Sequence, residues 1–140
     1  MRRIDKIIVH CSATPEGKDY GVADIDEWHR ARGFRGIGYH YVVYRDGSVH
    51  RGRAVSEAGA HCVGQNAHSI GVCYIGGCDE SGKKPKDTRT PAQRIALTAL
   101  VKDLLRQYPG STVHGHNEFS AKACPSFNVK TWLTQVGIKQ

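Results

Sequence analysis

Three residues far apart in the chain have the types that hold a transition metal: His10 in "VHCSAT", His116 in "GHNEFSAKAC", and Cys124 at the end of that second stretch. Two imidazoles and one thiolate bind zinc tetrahedrally and leave the fourth position to water. An open site of that kind lowers the pKa of its water to about 7 and makes hydroxide available at neutral pH. His114 competes with His116 for a place in the set, because residues two apart on a strand share a face. Lys122, two residues before Cys124, would lie close to such a metal and could stabilise the charge that develops on a carbonyl oxygen under attack. Tyr39 could hydrogen-bond the water or that oxyanion. Tyr39 and His40 point to opposite faces of a strand, so at most one of them faces the site.

Each residue also has an ordinary reading: a thiol packed as a small hydrophobe, a solvated loop lysine, a half-buried strand tyrosine. Among the eight histidines, His29 falls on a charged helix face and His50 in a hairpin arm, and neither suggests chemistry. Rival chemistries have less support. There is no GxSxG elbow and no phosphate-binding Walker loop, and "GFRGIG" precedes a strand with the wrong spacing for a dinucleotide cradle. Nothing local marks Cys11 or Cys124 as a nucleophile.

The elements that must position these residues are legible in the pattern. "KIIVHCSAT" reads as a buried strand with His10 at its end. "VADIDEWHRARGF" places Val22, Ile25, Trp28 and Ala31 at helical spacing, with Gly33 as the C-terminal stop. "YHYVVYRDGSVHRG" is a hairpin turning at Asp46-Gly47, and "HSIGVCYIGG" is a second buried strand. The stretch from Cys78 to Arg89 is polar and reads as a surface loop. In "TPAQRIALTALVKDLLRQYPG", Thr90 caps a helix, Pro91 opens it and Gln93 completes a capping box. Ile95, Leu97, Leu100, Val101, Leu104 and Leu105 supply its apolar face. "STVHGH" is a short strand and "VKTWLTQVG" a closing helix. Strands alternating with helices, plus one hairpin, predict a single α/β domain over 1–140 with a mixed central β-sheet flanked by helices. His10 and His116 then sit at strand ends, with Cys124 in the following loop, where such sheets keep their sites.

The bulk numbers bound the partners. No apolar run approaches the roughly 20 residues that span a membrane, and the three-residue run before His10 is too short for an export signal. The chain is therefore expected to be cytoplasmic at synthesis, with its five cysteines reduced, and to have no membrane partner. A net charge of +7 favours polyanions. Nucleic acid, an anionic membrane and an anionic cell wall all fit that charge, but no basic run or aromatic-interleaved basic stripe points to nucleic acid.

Several blocks together resemble one known family. "VHCSAT", "GYHYVVYRDGSVHRGR", "HCVGQNAHSIGVCYIGG", "TPAQ" and "GHNEFSAKACPSF" occur in the order seen in type 2 N-acetylmuramoyl-L-alanine amidases, which share their fold with the peptidoglycan recognition proteins. The similarity is greatest to short phage lysozyme (endolysin) members and runs from about Lys6 to Trp132. It implies one Zn2+ per chain held by His10, His116 and Cys124, which favours His116 over His114. It implies that Tyr39 and Lys122 assist attack and stabilise the tetrahedral intermediate, and that His61 of "AHCVGQN" contacts substrate. The implied reaction is hydrolysis of the amide between N-acetylmuramic acid and L-alanine of the peptidoglycan stem peptide, on the wall after release; a monomer is the default expectation. A recognition module that binds without cutting would be signalled by loss of the cysteine ligand. Some phage relatives also restrain an RNA polymerase, so a regulatory protein partner is a further expectation.

Overall fold

The structure, a computed structural model, describes residues 2–140. Strand β1 (Lys6–Cys11) is its axis: every side chain from Ile7 to Cys11 is buried. Such a run marks a strand covered on both faces, the usual state of parallel strands. After it come the two-residue β2 (Thr14–Pro15), helix α1 (Val22–Ala31), the hairpin strands β3 (Tyr41–Val43) and β4 (Val49–Arg51), and β5 (Ser69–Tyr74). The chain ends with β6 (Gly77–Cys78), helix α2 (Pro91–Gln107), β7 (Thr112–Gly115) and helix α3 (Val129–Gln135). The main sheet has the order β4-β3-β5-β1-β7. Only the β3–β4 pair is antiparallel, while β3, β5, β1 and β7 run parallel. This is the mixed α/β architecture expected from the pattern.

The alternation along β1 divides the molecule. Ile7, Val9 and Cys11 join the larger core with Leu97, Val101 and Leu104 of α2 and Trp132 and Leu133 of α3. The opposite face carries the smaller core, in which Ile25 of α1 packs with Ile37, Val42, Cys73 and Ile75. His10, one residue out of step with Val9 and Cys11, lies on that second face. Fully burying each aliphatic side chain of β1 is worth about 1.5–3 kcal/mol, so the strand that carries His10 is held firmly.

Helix α2 begins as its capping signature predicts. The Thr90 hydroxyl accepts from the Gln93 N–H at 3.1 Å, and Gln93 Oε1 accepts from the Thr90 N–H at 2.9 Å. Gln93 is also wholly buried, its amide donating to the carbonyls of Val43 and Ile75. Two expected face residues lie outside the core: Ile95 is 74% exposed and Trp28 37%. On α1 the inward positions are Ile25 and His29, four apart, and Trp28 falls at the edge of that stripe.

The loop from Cys78 is less free than its composition suggests. Its first residue, Cys78, completes β6, which pairs in parallel with β2 beside the end of β1. Gly77 makes this possible: its φ is +102°, and a side chain there would drive into the Cys11 sulfur.

Candidate metal centre

The donor atoms of His10, His116 and Cys124 all lie within 4.8 Å of one another. His10 ends the buried run of β1, and His116 opens a one-turn 3-10 helix directly after β7, the strand paired with β1. Cys124 follows in a loop tied down at three points. The Tyr74 hydroxyl donates to the Pro125 carbonyl at 2.7 Å, and the Ser126 hydroxyl donates to the Gly77 carbonyl at 2.8 Å. The buried Arg89 guanidinium stacks 3.5 Å from the Phe127 ring centroid. The cluster therefore rests on the C-terminal ends of two adjacent parallel strands.

The donor set fits a zinc ion chemically as well as sterically. Burial pushes His10 and His116 below their ordinary pKa, with the Lys122 ammonium adding to the effect, so both imidazoles are neutral near pH 7 with lone pairs free for a metal. The Cys11 N–H donates to Cys124 Sγ at 3.2 Å, a contact suited to a thiolate. Contact with the Cys11 thiol and burial push the Cys124 thiol upward, so an incoming cation must displace its proton. His114 is engaged elsewhere: its Nδ1 meets Glu118 at 2.9 Å and its Nε2 meets Thr112 at 2.7 Å.

A cleft of roughly 310 Å³ opens beside the cluster, and Tyr39, His29, His116 and Lys122 are among the residues that line it. The Tyr39 ring centroid lies 5.0 Å from that of His10, and burial holds its phenol well above the usual range, hence protonated. Its neighbour His40 turns away, accepting from the Gly71 N–H and donating to the Glu57 carbonyl. Lys122 is solvent-exposed at the rim. The cleft wall carries two cations, Arg32 and Lys122, and no carboxylate.

His61 stands behind the cluster. Its Nδ1 is 2.8 Å from His10 Nε2 and its Nε2 is 3.2 Å from the Ser69 hydroxyl, and burial lowers its pKa to about 3. His29, which sequence reasoning passed over, is buried, accepts from the Gly38 N–H at 2.9 Å and packs 5.3 Å from Tyr39. Its four-residue spacing from Ile25 was the available signal. All five cysteines are free thiols.

Fold and donor set define a class: an α/β domain with an open His-His-Cys pocket at the carboxyl ends of parallel strands. Residues 1–127 match the model of the N-acetylmuramoyl-L-alanine amidase family (Amidase_2). The endolysin of Escherichia phage T7 is 44% identical over 128 residues, which cover 91% of this chain and 84% of that one. Among solved structures, the amidase LysC from Clostridium intestinale superposes with a TM-score of 0.83 at 28% identity, covering 99% of this chain and 88% of its own. Drosophila PGRP-LB, at 20% identity and a TM-score of 0.80 over 100% of this chain and 85% of its own, shares the fold. The chain belongs to the N-acetylmuramoyl-L-alanine amidase family and is an amidase of the phage endolysin type, a peptidoglycan hydrolase.

Proposed function

We propose that His10, His116 and Cys124 hold one zinc ion, with which the enzyme cuts the amide between the lactyl group of N-acetylmuramic acid and L-alanine of the stem peptide. The observation that carries this reading is the convergence of those donor atoms within 4.8 Å, with His116 lining a cleft that Lys122 and Tyr39 also line. Zinc, when bound, supplies a Lewis acid that brings a water to deprotonation near neutral pH.

The chain's own groups do the rest. Lys122, which lines the same cleft as His116, donates to the carbonyl oxygen of the scissile amide as it gains charge. Tyr39, which also lines the cleft and is protonated at working pH, donates through its hydroxyl and holds the attacking water in line. The Cys11 N–H keeps the Cys124 sulfur in place. His61 contributes its ring to the wall. The net charge of +7 draws the protein to an anionic wall, on which it acts as a monomer after release.

The test is mass spectrometry of purified peptidoglycan digested with zinc present and after chelation. Zinc-dependent release of stem peptides with free L-alanine amino termini, leaving the glycan chains intact, is expected. Binding without those products would make the domain a recognition module, and cuts within sugars or between peptide residues would mean a different bond.

A further inference from the structure

The amidase reading leaves His61 as one more residue of the cleft wall, yet its surroundings are unusually specific. Its Nδ1 lies 2.8 Å from His10 Nε2 and its Nε2 lies 3.2 Å from Ser69 Oγ, so neither ring nitrogen faces the cleft unoccupied. The rings of His10 and His61 meet edge to face, at 90°. The loop is fixed behind the ring as well: Asn66 Oδ1 accepts from the backbone N–H groups of both His61 and Cys62, at 2.9 and 3.0 Å. Strand β5 offers the ring a flat bed at Gly71, where an added Cβ would meet His61 Cδ2 at 2.7 Å, Cγ at 2.8 Å and Nδ1 at 3.0 Å. Backbone and side chains alike hold this imidazole in one orientation.

Proton placement then follows. The His10 nitrogen nearest Cys124 is Nδ1, at 3.8 Å, so Nδ1 must offer its lone pair to a metal and the ring proton belongs on Nε2. That proton needs an acceptor, and the atom opposite it is His61 Nδ1. His61 must therefore carry its own proton on Nε2, where the Ser69 hydroxyl accepts it. We propose that His61 is a positioning residue: through the chain His10 Nε2–H to His61 Nδ1, and His61 Nε2–H to Ser69 Oγ, it locks His10 in its metal-binding tautomer and aims its Nδ1 at the ion. This rests on the zinc reading above and gives His61 a task other than hydrogen-bonding substrate. Metal-bound histidines usually give their second N–H to a carboxylate, a backbone carbonyl or water. Here a second histidine takes that place. The reversed chain, Ser69 O–H to His61 Nε2 and His61 Nδ1–H to His10 Nε2, would put the His10 proton on Nδ1 and bar the metal, so metal binding selects the first arrangement.

The experiment measures the zinc dissociation constant by chelator competition, with kcat and KM on soluble muropeptide at saturating zinc, for wild type, His61→Leu and His61→Asn. His61→Leu keeps bulk and removes the acceptor, and a zinc affinity about 10- to 100-fold weaker with KM unchanged is expected. Asn Oδ1 falls where Nδ1 was, so His61→Asn should recover most of that affinity. Wild-type zinc affinity in His61→Leu together with a raised KM would overturn the proposal and make His61 a substrate contact. A wild type that binds no zinc would overturn the metal reading itself, a failure distinct from the first. If His61→Leu does not fold, Gly71→Ala, which displaces the ring, and Ser69→Ala, which removes its far acceptor, carry the test. Both should weaken zinc severalfold, and unchanged affinity in both would overturn the proposal. Nitrogen-15 NMR of the loaded wild type should find His61 protonated at Nε2, and a proton at Nδ1 would refute it.

Discussion

His10 Nδ1 and Cys124 Sγ, 114 positions apart in the chain, lie 3.8 Å from each other. Neither residue is in a position to find the other locally. Strand β7 brings them together by pairing with β1 from Lys6↔Thr112 to Val9↔Gly115, which sets the next turn, and the loop to Cys124, over the end of β1. Cys124→Ala should therefore abolish both zinc retention and turnover, measured by metal analysis after gel filtration and by muropeptide release. An active, metal-loaded Cys124→Ala protein would refute the ligand assignment.

Lys122 separates binding from chemistry. It is exposed at the rim and supplies no ligand atom, so Lys122→Ala should keep its zinc while kcat falls about 100- to 1000-fold, the usual cost of losing one oxyanion donor. Loss of metal from that variant would mean that Lys122 supports the cluster instead.

Zinc loading should release close to one proton per chain near pH 7.5. The His10 and His116 imidazoles are already neutral there, whereas the Cys124 thiol is held protonated by its contact with Cys11 and by burial. Calorimetry in buffers of different ionisation heat reads the number directly. A value near zero would mean that Cys124 is already a thiolate in the free protein.

The buried His40 predicts acid sensitivity in the metal-free protein. Burial, with the nearby Arg2 and Arg53 guanidinium groups adding to it, lowers its pKa from 6.5 to about 4. Between those values the unfolded chain binds the proton and the folded one does not, so stability is intact above pH 6.5 and falls as the pH drops toward 4. The loss from this one residue is about 2 kcal/mol by pH 5 and about 3 kcal/mol by pH 4. Urea titrations at pH 7 and 5 should show His40→Asn less stable than wild type at pH 7 but less dependent on pH. Equal slopes would contradict this.

His29→Leu should cost about 1–3 kcal/mol, because the buried Gly38 N–H would lose its acceptor next to Tyr39. A drop in kcat should accompany the lower melting temperature, since Tyr39 follows Gly38 directly in the chain. Unchanged stability would mean that water replaces the imidazole.

Where the fold was legible in the sequence, one local pattern sufficed. The apolar run of β1, the Asp46-Gly47 turn and the Thr90–Gln93 box each carry their own signal, and each element formed as read. Strands β2 and β6 have two residues each and hence no periodicity to detect, so their pairing could not be read in advance. Helical spacing put Trp28 on the inner face of α1, but the tertiary stripe runs through Ile25 and His29, and a polar ring fills a position the pattern reserves for apolar ones. The hydrogen bonds of His61 were hidden for another reason: they join residues 51 and 8 positions away, and no spacing rule reaches them.

The parallel seat of β7 beside β1 has a consequence for the timing of activity. The loop bearing Cys124 follows the strand bearing His10 by more than a hundred residues, so a ribosome makes it later, and a chain stopped between the two lacks the full donor set. Contacts of such long sequence separation also close late and slowly during folding. Translation products interrupted between the two elements therefore cannot assemble the candidate metal site, however well their earlier strands fold.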